Sequence, residues 1–131
     1  VSGTVERLDG QPIILVTITG HVDGEIARSI YKQSAEIADA ADEMLYRILD
    51  VRQMTTSFPE MLEVVRESGK GLPGSGRDPR IKNIYVGNNN MAKLARDLMK
   101  QFGVEMLMFL SMEDAHTYIQ NQIEESSQLS G

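Results

Sequence analysis

The chain is predicted to fold as an α/β domain, a single mixed sheet of four to five strands with helices packed on it. Three observations predict this. Short β-branched runs recur along the sequence, and each is followed by a longer segment whose apolar residues repeat at helical spacing. The connections are rich in Gly, Asn, Asp and Pro, residues that stop one element and start the next. With 131 residues, no internal repeat and no long linker, one core is the expectation.

Taken in order, "SGTVERLDGQPIILVTITG" holds two strand-like runs split by Asp9-Gly10, an antiparallel hairpin whose second strand is Pro12–Gly20. "DGEIARSIYKQSAEIADAADEM" reads as a helix with Asp23 as N-cap and Ile26, Ala27, Ile30, Ile37, Ala38 and Ala41 on one face. Leu45–Val51 is a strand closed by Asp50. Ser57 and Glu60 then form a capping box, Pro59 sits harmlessly in the first turn, and Phe58, Met61, Leu62 and Val65 make a buried stripe. Gly69 is the expected C-cap. A strand follows at Arg80–Gly87, then an asparagine-capped helix stopped by Gly103, with Met91, Leu94, Ala95, Leu98 and Phe102 facing inward. "VEMLMFL" is the next strand, and Ser111 with Asp114 opens the last helix. The domain is read as residues 1–131 with a core of about 11–123 and a disordered tail over 125–131.

Composition narrows the function classes. There is no cysteine, so disulfides, thiolate catalysis and cysteine-based zinc sites are excluded together. No apolar run approaches the roughly 18–20 residues of a membrane span, and the opening residues do not resemble a signal peptide, so a cytoplasmic protein is the expectation. The formal net charge of −6 argues against nucleic acid as a partner. That charge is uneven: Gly69–Lys100 carries seven basic residues against two acidic, +5, which leaves −11 on the remainder. A solvated surface is the simpler account of this segment, and a docking surface for an anion or an acidic partner is the sharper one.

Two stretches and the histidines invite a chemical reading. "GKGLPGSGRDPR" has the composition of a phosphate loop but the wrong order: Lys70 precedes most of the glycines, no Ser or Thr follows it, and a strand rather than a helix comes next. It is expected to be a flexible connection whose Arg77 and Arg80 form a positively charged lip. "GNNNM" joins a strand end to a helix N-terminus, so Asn88, Asn89 and Asn90 are a candidate interaction turn with Lys93 and Arg96 as candidate anion contacts nearby, although one cap plus turn residues is the simpler account of the three asparagines. His21 and His116 are the only histidines and belong to no metal-spaced pair, so both are expected to be structural or solvated. A triad of Ser57, His21 and Asp50 lacks any nucleophile elbow. No enzyme, metal or cofactor is implied.

The stretches "VTITGHVDGEIARSIYKQ", "LYRILDVRQMTTSFPEMLEVV", "DPRIKNIYVGNNNMAKLARDLMKQF" and "VEMLMFLSMEDAHTYI", in the order β-β-α-β-α-β-α-β-α, resemble the STAS superfamily, specifically the SpoIIAA-like proteins. Their folds are also compared with the lipid-carrying CRAL-TRIO domain. In the anti-sigma-factor antagonists the resemblance implies a switch, in which a serine of an Asp-Ser-Ser-Gly turn is phosphorylated and so controls partner binding. This chain has "TTSFP" at the corresponding place and no Asp-Ser-Ser-Gly, so Thr55, Thr56 and Ser57 are the hydroxyls left to serve.

The leading expectation is therefore a non-catalytic regulatory domain that docks a protein partner, a regulator or kinase, through the Asp50–Phe58 turn and Asn88–Asn90. The alternative is a carrier of a small apolar or amphiphilic anionic ligand, lipid-like, held between helices and sheet with the eight methionines in part lining the site. Homodimerisation stays open.

Overall fold

The computed structural model describes residues 3–130, with the side chains of 128–130 left aside. Nine elements follow one another: β1 (Gly3–Arg7), β2 (Ile13–His21), α1 (Gly24–Asp39), β3 (Leu45–Thr55), α2 (Phe58–Gly69), β4 (Ile81–Val86), α3 (Asn90–Gln101), β5 (Met106–Phe109) and α4 (Met112–Ser130). The strands form one sheet in the order β1-β2-β3-β4-β5. β1 runs antiparallel to β2 across the hairpin, and every later neighbour is parallel. This is the mixed α/β sheet that the sequence predicts.

Parallel strands need a crossover between them, and the crossover helices must cover the sheet. α1, α2 and α3 do so on one face, packing Ile30, Ala38, Met61, Val65, Ala95 and Met99 around Ile14, Val16, Leu45, Leu49 and Tyr85. α4 covers the other face with Ala115 and Ile119 against Ile13, Tyr46, Ile48, Ile84 and Val86. Two-residue alternation divides each strand between these cores: along β3, Leu45, Leu49 and Val51 point to α1–α3 while Tyr46 and Ile48 point to α4.

Four sequence expectations are corrected. β3 does not stop at Asp50. The β2–β3 pairing shifts by one residue between Thr17↔Asp50 and Thr19↔Gln53, which is a bulge, and the ladder then continues to His21↔Thr55. Asp50 sits at the bulge, where its carboxylate accepts the Arg52 backbone N–H at 3.2 Å and two guanidinium N–H groups at 2.9 Å. The turn proper shrinks to Thr56 and Ser57.

The apolar stripes also end sooner than periodicity alone suggests. Phe58 and Phe102 are 49% and 47% exposed because each lies at a helix end, beyond the cover of the sheet. Around α3 the buried line is Ala92, Ala95 and Met99, with Met91, Leu94 and Leu98 flanking it.

The glycine-rich connection is not a flexible lip. Gly69 is still helical, Lys70 takes the cap, and Gly74, Ser75, Gly76 and Asp78 are buried. The buried guanidinium of Arg47 anchors it, donating to the Gly74 carbonyl and, at 2.8 Å, to Asn83 Oδ1, whose amide donates in turn to Gly76 O at 3.2 Å. Arg47 also lies 5.3 Å from the centre of the Tyr31 ring. Burial pulls its pKa down, opposed by Tyr31, Tyr85 and Asp78. At the far end Asp78 accepts from Gly74 N (2.7 Å), Arg80 N (3.0 Å) and the Arg80 fork (3.1 and 2.8 Å).

Finally, α4 continues to Ser130, through the segment expected to be disordered.

Candidate functional site

Because β2 to β5 are parallel, their carboxyl ends and the four helix N-termini gather along one edge of the sheet. Each helix start there is capped by the residue type that local chemistry favours. Asp23 Oδ1 accepts from Ile26 N at 3.0 Å, Ser57 Oγ from Glu60 N at 3.4 Å, Asn89 Oδ1 from Ala92 N at 2.7 Å and Ser111 Oγ from Asp114 N at 3.1 Å. The Ile26 N–H is the main reason the Asp23 carboxyl lies below its usual range, with the neighbouring His21 adding to it.

The three candidate hydroxyls differ in availability. Thr55 ends β3 and is exposed. Thr56 is half-buried and donates to Val22 O at 3.1 Å, tying the end of β2 to that of β3. Ser57 is exposed and donates to Glu60 Oε1 at 2.7 Å, so the capping box closes side chain to side chain. Phe58 follows it, half exposed, and Leu110 at the end of β5 is 69% exposed on the same edge.

Of the asparagines, Asn89 is committed to structure. Besides capping α3 it donates to Val51 O at 2.9 Å, at the β3 bulge. Asn88 and Asn90 are exposed beside it. The candidate anion contacts do not converge. Arg80 is held by Asp78 and Asp39, and Arg77 donates to Gly69 O at 3.1 Å. Lys93 is exposed on the first turn of α3, while Arg96 reaches Asp97 at 3.1 Å and Met108 Sδ at 3.2 Å. Arg96 does line an open groove of about 670 Å³ between α3, β4, β5 and α4, with Lys82 and Lys100 balanced by Asp97 and Glu105.

The triad drawn on paper does not assemble: Asp50 is paired with Arg52, and His21 turns to Glu60 at 2.6 Å and Asp23 at 3.3 Å. That His21–Asp23–Glu60 cluster was not visible in the sequence, because Glu60 lies in a different crossover. "HVD" at Val22's flanks is its only local trace.

The carrier reading finds little room beneath α1, α2 and α3; the open groove along β4 and β5 is the roomier place. The cavity between the helices and the sheet, reached by Ile18, Ile30, Tyr31, Arg47, Met61 and Tyr85, measures about 40 Å³. Ligand pockets usually start near ~300 Å³, whereas one water needs ~10–15 Å³. Among the described residues no helix is long and apolar enough to cross a membrane.

A sheet in the order β1-β2-β3-β4-β5, with three crossover helices on one face and a terminal helix on the other, is a SpoIIAA-like fold. It is similar to an uncharacterised DUF3478-family protein with a SpoIIAA-like fold from Shewanella loihica PV-4, at 13% identity and a TM-score of 0.58, over 88% of this chain and 90% of that one. It is also similar to the anti-sigma factor antagonist SpoIIAA in its unphosphorylated form, at 15% identity and 0.55, over 90% and 97%. An anti-sigma factor antagonist from Mycobacterium paratuberculosis aligns at 13% and 0.52, over 90% and 92%. Neither a family model nor a curated protein matches the chain.

Proposed function

We propose that this chain is a non-catalytic regulatory domain that docks a protein partner along the carboxyl edge of its sheet, with phosphorylation of Ser57 as the control. The observation that carries this reading is an exposed Ser57 hydroxyl at the N-terminus of α2, next to a half-exposed Phe58, on a fold shared with anti-sigma factor antagonists. Phosphoryl transfer from a nucleoside triphosphate by a partner kinase would add roughly −1.5 to −2 charges there. The helix N-terminus favours that charge. Glu60, whose carboxylate accepts from Ser57 at 2.7 Å, repels it. The phosphate therefore keeps the bond to the Glu60 N–H and expels the Glu60 side chain, changing shape and charge beside Phe58 at once.

Phosphopeptide mapping of the protein from its native cells tests the control, and partner capture with Ser57→Asp, Ser57→Ala and Phe58→Ala tests the surface. Phosphate on Ser57, a partner held by Ser57→Ala and released by Ser57→Asp and Phe58→Ala, is the expected result. Bare hydroxyls at 55–57 under every growth condition, together with capture indifferent to Phe58, would sink the reading.

A further inference from the structure

At one corner of the carboxyl edge, three metal-ligating side chains point at one another. His21 ends β2, Asp23 caps α1 and Glu60 lies in the first turn of α2. His21 Nε2 is 2.6 Å from Glu60 Oε2 and 3.3 Å from Asp23 Oδ2, and the three ligand atoms all lie within 4.8 Å of one another. Each carboxylate commits its other oxygen elsewhere: Asp23 Oδ1 to the Ile26 N–H at 3.0 Å, Glu60 Oε1 to the Ser57 hydroxyl at 2.7 Å. Those bonds fix both side chains with one free oxygen turned to the imidazole. Val22 N donates to Thr55 O at 3.2 Å and Thr56 to Val22 O at 3.1 Å, so the two segments that carry the ligands are themselves tied together.

We propose that His21, Asp23 and Glu60 bind a divalent transition-metal ion, with zinc the best match. An imidazole nitrogen with two carboxylate oxygens suits zinc, cobalt or manganese, whereas magnesium and calcium prefer oxygen alone. Tetrahedral zinc with bonds of about 2.0–2.1 Å places ligand atoms about 3.3–3.4 Å apart. The Nε2–Oδ2 separation of 3.3 Å already fits, and the Nε2–Oε2 contact needs only a rotation of the exposed His21 side chain to open. His21 is 50% exposed and the two acids about 30%, so water completes the coordination. The positive ends of α1 and α2 oppose a cation, which the two carboxylates offset. The affinity expected is accordingly micromolar, weaker than that of a closed structural site. None of this depends on the docking reading, since the site is complete in unmodified protein.

Calorimetric titration of the whole unphosphorylated chain with ZnCl2, and absorption spectra with Co2+, test it. One ion per chain is expected, with visible cobalt bands showing nitrogen ligation. His21→Ala should abolish binding, and Asp23→Asn and Glu60→Gln should each weaken it at least about tenfold. The latter two keep the helix starts intact, because Asn is itself a good N-cap and Gln completes a capping box. His116→Ala, on α4, should leave binding unchanged. Wild-type protein that takes up neither ion at millimolar concentration, binding that survives His21→Ala, or Mg2+ binding as tightly as Zn2+ would each overturn the assignment.

Discussion

Asp78→Asn removes one charge from a buried acceptor, and its effect can be worked from the structure. The Asp78 side chain is 4% exposed and receives four hydrogen bonds, three of them from Arg80 and one from Gly74 N. The Arg80 guanidinium first, then the two backbone N–H groups, hold its carboxyl down from 3.8 to about 2 against the opposing effect of burial. A folded pKa below the unfolded one means that the ionised form stabilises the fold above the unfolded value, and that this is lost as pH falls through the folded one. The difference of nearly two units corresponds to about 2 kcal/mol at pH 7. By the same linkage it falls to roughly half near pH 3 and almost vanishes near pH 2. Urea unfolding of wild type and Asp78→Asn at pH 7, 5, 4 and 3 measures it. With a slope of about 2 kcal/mol per molar, the variant's midpoint should sit about 1 M lower at neutral pH and the gap should narrow only below pH 4. Other carboxylates titrate in both proteins and cancel. A gap that is absent at pH 7, or that stays constant down to pH 3, would refute the argument that this charge pins the loop.

Gly74→Ala should cost several kcal/mol or prevent folding, measured as soluble yield and thermal midpoint. Gly74 has φ +79° and its added Cβ would strike the Tyr31 carbonyl and Ala35 N on α1, backbone that cannot step aside. Ser57→Ala should lose only about 1 kcal/mol by urea unfolding, the worth of one N-cap, so the variant remains folded for the capture experiments. A loss above about 3 kcal/mol would mean that Ser57 supports more than the start of α2.

Most of the fold was legible because its signals are local. Asp23, Ser57, Asn89 and Ser111 cap the helices that their spacing predicts, since a cap needs only the N–H groups two or three residues on. Gly103 stops α3 for a reason equally local, a φ of +80°. Where a neighbour decides, legibility fails. β3 outruns Asp50 because β2 goes on offering it a partner past the bulge. The charged loop that looked like a free anion lip has spent Arg77 and Arg80 on its own chain and lies over a buried arginine supplied 27 residues earlier.

The chain's residues by themselves therefore determined the element order and the helix starts, because periodicity and capping act over a few positions. Tertiary structure alone decided what the polar side chains are for. It placed Glu60 against His21 and Arg47 under Gly74. Such meetings follow from the crossovers that bring distant strand ends to one edge, and residues 39 positions apart carry no mark in sequence of the contact they will make.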